Sequence, residues 1–423
     1  MILLLFLFFF IDIILLEFFT LFFPVLRDNV EFYSLIFILV HVVFIIYYIL
    51  FTEGKYKNIL LLGLILRLVI LFADTYHWFP VLHSGGDSEM FHNVATKNQI
   101  YEEQVEMTYY SSFLTILYSI THSSRIIAQY FNLLMGISIL FIVRKIFDIL
   151  DVDNKLALIS LTILACMPNF VIFSGILLRE AWVEFFVILS VYLFVRWFVG
   201  GNSLNIPLCL GSILLAAVMH SGTLVVIMGY VLAFLSYNPS TGHVQFSGNT
   251  VVFIVIATVM ILLLGGNSDI FTGKFNNVES SKDLLSTVNH ESEGGSVYLS
   301  WIKADSLWMG FLFSPLKMFY FLFSPLPTNW RGFGDIIAFM IDSSFYIFLC
   351  WNIARNYRLS NKIGSIKLFL LIGLSISVFV FAFGTYTAGT ALRHRAKLLP
   401  MLTVLYAVSS SSLNIKEDSE ENE

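Results

Sequence analysis

Runs of about 20 apolar residues, the length a helix needs to cross a bilayer, recur along this chain from one end to the other. Hydrocarbon offers no water to satisfy backbone N–H and C=O groups, so such runs leave two choices, membrane helices or a closed barrel. The runs are continuous rather than alternating, which excludes the barrel. Only 13% of the 423 residues are charged and 58% are hydrophobic, with a mean hydropathy of +0.83; soluble chains carry about 25% charge. The formal net charge of -5 and the lack of a dense basic cluster exclude a nucleic-acid partner. Cys166, Cys209 and Cys350 lie in apolar runs without metal-ligand spacing and read as small core residues.

Taken in order, spans are expected over residues 1–23, 32–51, 59–78, 125–150, 156–173 and 181–199. The first lacks a basic leader and an A-x-A site, so it reads as a retained span. Residues 109–122 are apolar but short, suited to an interfacial or re-entrant helix. Two short apolar helices, 206–219 and 223–236, meet at His220-Ser221-Gly222, and 251–264, 334–351, 368–383 and 398–409 complete the set. The prolines of the repeat 311–316 and 321–326 (Phe-Leu-Phe-Ser-Pro-Leu twice) favour two short interfacial elements over a span. Residues 265–305, rich in Ser, Asn, Glu and Gly, read as a mobile outer loop. The expected architecture is an all-α polytopic transmembrane bundle of about 12 spans. A single membrane domain fills residues 1–412, followed by an acidic cytoplasmic tail at 413–423. Lys55, Lys57, Arg144, Lys145, Arg196, Arg355, Arg358, Lys362 and Lys367 then share the cytoplasmic side with both termini. Loops 81–123, 265–333 and 384–397 face outward.

Four separated groups of charged residues collect on that outer side. Asp87, Glu89 and His92 stand in Gly85-Gly86-Asp87-Ser88-Glu89-Met90-Phe91-His92, ahead of Glu102, Glu103 and Glu106. If the stretch is helical, Glu89 and His92 share a face; the plainer reading is a solvated loop. Arg179-Glu180, with Glu184 a turn later, opens a helix between two apolar runs. Glu180 there is either a simple helix cap or a ligand, while an ion such as Arg179 is expensive without a partner. Arg331 follows Trp330 in Pro327-Thr328-Asn329-Trp330-Arg331-Gly332, ahead of Asp335, where Arg331 is an interfacial anchor or a ligand. Arg393-His394-Arg395-Ala396-Lys397 is basic on the side where the positive-inside bias does not call for it. Such a run suits a phosphate-bearing partner or lipid headgroups. Asp12, Glu17 and Arg67 lie within spans and read as intramembrane packing pairs; His220 reads as a satisfied core histidine.

Outward carboxylates beside outward cations fit one chemistry. A carboxylate takes the proton of an acceptor hydroxyl, and the cations stabilise a departing phosphate. There is no Gly-rich phosphate loop for a nucleotide, so the donor would be a lipid carrier lying in the bilayer. The interfacial helices and 43 phenylalanines offer a groove for its chain.

In these features the chain resembles integral-membrane glycosyltransferases of the GT-C superfamily. It is most similar to bacterial members like the protein O-mannosyltransferases and to Gram-positive surface-polysaccharide polymerases. The resemblance rests on the acidic motif of the first long outer loop, the short helix after it, the Arg179-Glu180 joint and the Arg-His-Arg-x-Lys-x-x-Pro run ending at Pro400. It implies a polyprenyl-phosphate or -diphosphate sugar as donor, Asp87 as catalytic base with Glu89 beside it, and Arg393 and Arg395 as carrier-phosphate ligands. His92, Arg179, Glu180, Arg331, His394 and Lys397 complete the candidate substrate-binding set. Asp87-Ser88-Glu89 is not the Asp-x-Asp of metal-dependent oligosaccharyltransferases, so no cofactor is expected and a divalent metal has no motif to support it. The expected function is transfer of a sugar or repeat unit to a glycan acceptor on the outer face of the plasma membrane. The alternative is a flippase for lipid-linked glycans.

Overall fold

The computed structural model describes residues 2–23, 25, 28–96, 108–238, 243–244, 296–299, 307–357 and 362–411. The expected span 251–264, nearly all of loop 265–305, Glu102, Glu103, Glu106, Arg358 and the tail 413–423 lie outside the described residues. The remainder is mostly helical. Among the described residues, seven helices are long and apolar enough to cross a membrane, as in a multi-pass membrane protein. An eighth crossing results if Asn154–Cys166 and Pro168–Gly175, bent by 54° at Met167, count together. Three of the expected apolar helices are short. Asn205–Met219, Ile227–Ser236 and Leu399–Ser410 have 15, 10 and 12 residues. At 1.5 Å per residue, 15 residues reach about 22 Å of a hydrocarbon core about 30 Å thick.

By its internal contacts the chain forms two compact units. The first comprises Met1–Phe141 and Leu161–Phe185, the second Ile142–Ser160 and Phe186–Glu423.

The first unit is built on helices α1 (Ile2–Thr20), α2 (Val30–Thr52), α3 (Lys57–Thr75), α4 (Gly86–Thr96), α5 (Tyr109–Ile120), the first part of α6 (Arg125–Ile149), the end of α7 (Asn154–Cys166), α8 (Pro168–Gly175) and the first turns of α9 (Glu180–Gly200). Local chemistry sets the ends. Asn29 caps α2, its side chain accepting from the Phe32 N–H at 3.0 Å. Thr108 and Ser111 form a reciprocal capping box on α5. Pro168, lacking an N–H, interrupts the apolar run and starts α8. Phe6, Phe9, Phe131 and Phe185 interleave α1, α6 and α9 with ring centroids 4.9 to 5.8 Å apart. His41 is fully buried; its Nε2 donates to the Leu5 carbonyl at 3.1 Å, which leaves Nδ1 to accept from Tyr130 at 2.7 Å.

The second unit adds α10 (Asn205–Met219), α11 (Ile227–Ser236), α12 (Leu307–Leu312), α13 (Ser314–Phe323), α14 (Phe333–Ala338), α15 (Ser344–Asn356), α16 (Lys362–Phe383), α17 (Ala388–Ala396) and α18 (Leu399–Ser410). The proline repeat does give short elements: Pro315 sits in the first turn of α13, and the helix stops at Ser324 before Pro325. A π-helical turn, Phe339–Ser343, joins α14 to α15. Helices α11 and α16 approach through Gly229 and Gly373, a small-residue contact of the kind that lets membrane helices close up.

That contact yields a prediction. A Cβ on Gly229 would lie 2.7 Å from the Phe369 carbonyl and 2.8 Å from the Gly373 nitrogen, both backbone atoms. Gly229→Ala is expected to cost about 1–3 kcal/mol through overpacking. Gly211→Ala, where nothing lies within 4 Å, should be neutral or stabilise by about 0.5–1 kcal/mol. Thermal unfolding of the detergent-purified variants checks the pair; equal midpoints would remove the close contact.

Candidate functional site

The acidic loop of the first unit is a helix. Gly85, at φ 108°, takes a conformation that favours glycine, and Ser88 closes the turn by donating to the Gly85 carbonyl at 2.9 Å. Asp87 stands exposed in the first turn of α4, where helix polarity favours a carboxylate. Glu89 and His92 lie on one face, as the i, i+3 spacing requires, and meet partners from two other helices.

Glu89 Oε1 lies 2.6 Å from Arg125 Nη1, at the start of α6, and Arg125 Nη2 is 3.9 Å from Asp74 Oδ2, near the end of α3. Gln129, one turn along from Arg125, donates from Nε2 to Asp74 Oδ2 at 2.5 Å and accepts from Thr75 Oγ1 at 2.9 Å. The chain of contacts runs from a Glu89 side chain that is 43% exposed to an Asp74 side chain that is 3% exposed. His92 Nδ1 lies 2.8 Å from the Tyr118 hydroxyl on α5. Burial, and then the positive charge of Arg125, hold the His92 imidazole below its ordinary pKa, with Glu89 opposing them. Burial raises the Tyr118 phenol.

The Arg179-Glu180 joint belongs to the same unit. Asn132 on α6 directs Nδ2 at the carbonyls of Ile176 and Leu178, each at 2.8 Å, and its Oδ1 accepts from Trp182 Nε1 at 2.8 Å. One amide side chain thus fixes the connector and the first turn of α9. Glu180 is buried and Arg179 half-buried. Tyr110, 3.0 Å from Asn132 Nδ2, feels the charges of both Glu180 and Arg125. The aromatic helix α5 therefore stands within electrostatic reach of the acidic array and of the joint. Within this unit the structure brings Glu89, His92 and Glu180 around Tyr110, Tyr118 and Arg125.

Of the three charges expected to pair within spans, Glu17 takes other partners. It accepts from Tyr33 at 3.0 Å and lies 2.9 Å from His122 Nε2. Arg67 feels the charge of Glu184 instead. Asp12 is buried in α1.

In the second unit the basic run forms α17, capped by Thr387, whose hydroxyl accepts from the Thr390 N–H at 3.3 Å. Its four basic residues have different fates. Arg395 is fully buried, which corrects its expected role as a phosphate ligand. Its Nη1 donates to the carbonyls of Leu322 (2.8 Å) and Ser324 (2.7 Å), its Nη2 bonds Asp342 and Ser343 Oγ, and its guanidinium lies over Tyr346. The π-helical turn supplies Asp342 and Ser343 together. Lys397 is also fully buried and meets His394 Nδ1 at 3.0 Å. His394 stacks on Phe381 and lies 5.0 Å from the His220 ring, and Arg393 is half-buried. Residues 296–299, the described part of the long loop, lie antiparallel to the entry of this helix, Tyr298 N–H donating to Tyr386 and Ala388 N–H to Ser296. Lys317 sits over the Tyr386 and Phe383 rings, its pKa lowered by burial. Arg331, half-exposed, turns back on Asp335 at 3.3 Å in an i, i+4 pair, a local contact of small energetic weight.

Sequence reasoning missed Asp74, Arg125, Gln129, Tyr118 and Asn132. Asp74 and Arg125 sit at span ends, where charge ordinarily reads as an interfacial anchor, and Asn132 carries no charge to draw notice. Among the described residues, no group of three or more His, Cys, Asp and Glu is placed to hold a metal ion. Compared with protein-family models, curated proteins and solved structures, the chain has no match.

A pH prediction follows from His92. Its folded pKa is depressed, so its contribution to stability is complete above the unfolded value, about 6.5, and is lost as pH falls toward the folded value. His92→Gln should flatten that part of the acid limb, and Arg125→Gln, by removing a cation that lowers His92, should shorten the limb by raising its lower end. Melting temperature against pH from 5 to 8 (a window of about 1.5 units either side of that value) reads both; an unchanged limb in His92→Gln would exclude this histidine as its source.

Proposed function

We propose that the protein is a membrane glycosyltransferase. It would move a sugar or oligosaccharide repeat unit from a polyprenyl-phosphate or -diphosphate carrier to a glycan acceptor on the outer face of the plasma membrane. Asp87 is the base. It takes the proton of the acceptor hydroxyl, the new oxygen–carbon bond forms at the anomeric carbon, and the carrier phosphate leaves with the electron pair of the broken bond. The single observation that carries this assignment is the state of the two carboxylates of α4. Glu89 is tied to Arg125 at 2.6 Å, while Asp87 is exposed. The ion pair commits Glu89 to orientation, and the exposed Asp87 is the carboxylate an acceptor hydroxyl can reach. Arg393 and His394 are the candidates for the carrier phosphate; Arg395 and Lys397, both fully buried, serve the fold around them. Arg179 and Glu180 border the acidic array through Tyr110 and are candidates for sugar hydroxyls. The acidic tail and both termini would be cytoplasmic. A role for the long loop in covering a growing glycan, as a polymerase needs, belongs to the same proposal.

One observation favours the second reading, a flippase for lipid-linked glycans. Arg67 and Glu184 are both fully buried within helices long enough to span the membrane, and ionisable groups at such depth often line transport paths. The two readings separate in cells carrying Asp87→Asn or Arg393→Ala, each first shown to insert at normal levels. Under the transferase reading, surface glycan falls by about 10²-fold or more, the scale of a lost general base, and lipid-linked donor accumulates on the outer leaflet. Donor confined to the inner leaflet would instead identify a flippase, and unchanged glycan in both variants would sink the site assignment.

A further inference from the structure

Lys397 is fully buried, and the contact it makes gives it a task beyond filling space. It closes α17, where the open carbonyls of the last turn favour a cation. Its Nζ lies 3.0 Å from His394 Nδ1, one helical turn back. An ammonium only donates, and an imidazole nitrogen accepts only through its lone pair. His394 Nδ1 therefore carries no proton. A cation at that distance also disfavours a second proton on the ring. What remains is a neutral imidazole with its one proton on Nε2.

Two ring contacts hold that imidazole. Phe381 of α16 stacks on it, with 5.3 Å between centroids and 10° between planes, and the His220 ring stands 5.0 Å away at 69°. The corner after α10 comes close enough that a Cβ on Gly222 would lie 2.7 Å from Phe381 and 3.4 Å from His220. The stack sets the plane of the His394 ring, and Lys397 sets its rotation within that plane. Nε2–H, across the ring from Nδ1, then has one direction. We propose that Lys397 is a positioning residue for His394. It fixes the Nε2–H tautomer and keeps the ring neutral, so that half-buried His394 meets the carrier phosphate as an uncharged donor. Charge at the phosphate is left to Arg393, while His394 adds a directed hydrogen bond that strengthens as negative charge builds on the leaving oxygen. The tautomer stands on the contact with Lys397; only the encounter with phosphate rests on the transferase reading.

The ring itself gives the first readout. Solid-state NMR of full-length protein in lipid bilayers, isotope-labelled at histidine, separates the two nitrogens of each ring, and His394→Gln identifies the signal of residue 394. In wild type at neutral pH that ring should carry its proton on Nε2. Lys397→Met keeps an unbranched apolar chain and removes the cation, so the ring should take its second proton at least about one pH unit higher than in wild type, a tenfold gain in proton affinity. The elements packed against α17 carry other charged and titratable groups: Lys317 and Tyr320 on α13, the lysines of α16, Tyr406 on α18, Asp342 at Arg395, and His220. All of them stay in every variant, so the shift reports Lys397. A wild-type ring protonated on Nδ1 would make Lys397 the acceptor and overturn the proposal, whether or not Lys397→Met inserts. An unchanged titration in Lys397→Met would overturn it as well.

Transfer from lipid-linked donor supplies the second readout. His394→Gln and Lys397→Met should each lower kcat about tenfold to a hundredfold, the scale of a misplaced group. The double variant should fall no further than His394→Gln alone, because Lys397 acts through that ring. A further loss in the double variant would give Lys397 a task of its own and overturn the positioning role. Wild-type protein without transfer activity would sink the transferase reading alone, since the NMR titration would still decide the tautomer.

Discussion

A polar group buried in an apolar helical bundle costs several kcal/mol unless something in the protein answers it. The internal order of both units follows from that constraint. In the first unit Asp74, 3% exposed, is answered by Gln129 and Arg125, and Arg125 in turn fixes Glu89. Asn132 is answered on both its amide and carbonyl sides, and in being answered it shapes the connector after α8. His41 uses both ring nitrogens. In the second unit Arg395 takes its acceptors from the end of α13 and from the π-helical turn before α15. None of these side chains is free to move without stranding a partner, so the polar residues fix geometry that apolar packing alone would leave adjustable.

The helices themselves were legible because apolar runs need no tertiary information: the boundaries expected for residues 59–78, 125–150 and 181–199 fall within a few positions of α3, α6 and α9. The Gly85–His92 stretch was legible for a related reason, since charge in a greasy chain demands an account. The partners were not legible. Asp74 and Arg125 are about 50 positions apart in sequence, and only packing of α3 against α6 brings them to one guanidinium. The span number was not legible at the short helices, where an apolar composition says nothing of whether a helix reaches across the bilayer. Arg395 shows the sharper limit. A basic residue in a basic run carries the same letter whether it faces an anionic ligand or is sealed beneath its own helix, and Asp342, the residue that decides it, lies 53 positions away.

The two polar helices that carry the candidate site share one construction. Helix α4 has 11 residues and α17 has 9, both too short to hold their shape in isolation. Each is fastened by one charge that turns inward: Glu89 to Arg125, Arg395 to Asp342 and Ser343. Each also carries a like charge two residues N-terminal of that anchor, exposed in Asp87 and half-buried in Arg393. Two residues along a helix is about 200° of rotation, so the two charges point to nearly opposite sides. In α17 the inward charge cannot easily serve a ligand, because releasing Arg395 would take a partner from the buried Asp342. In each helix the residue that fixes the geometry is therefore not the like charge two positions before it. Under the proposed transferase reading, a carboxylate base and a phosphate ligand would each gain from that division, since each must change its interactions during a reaction while its backbone stays still.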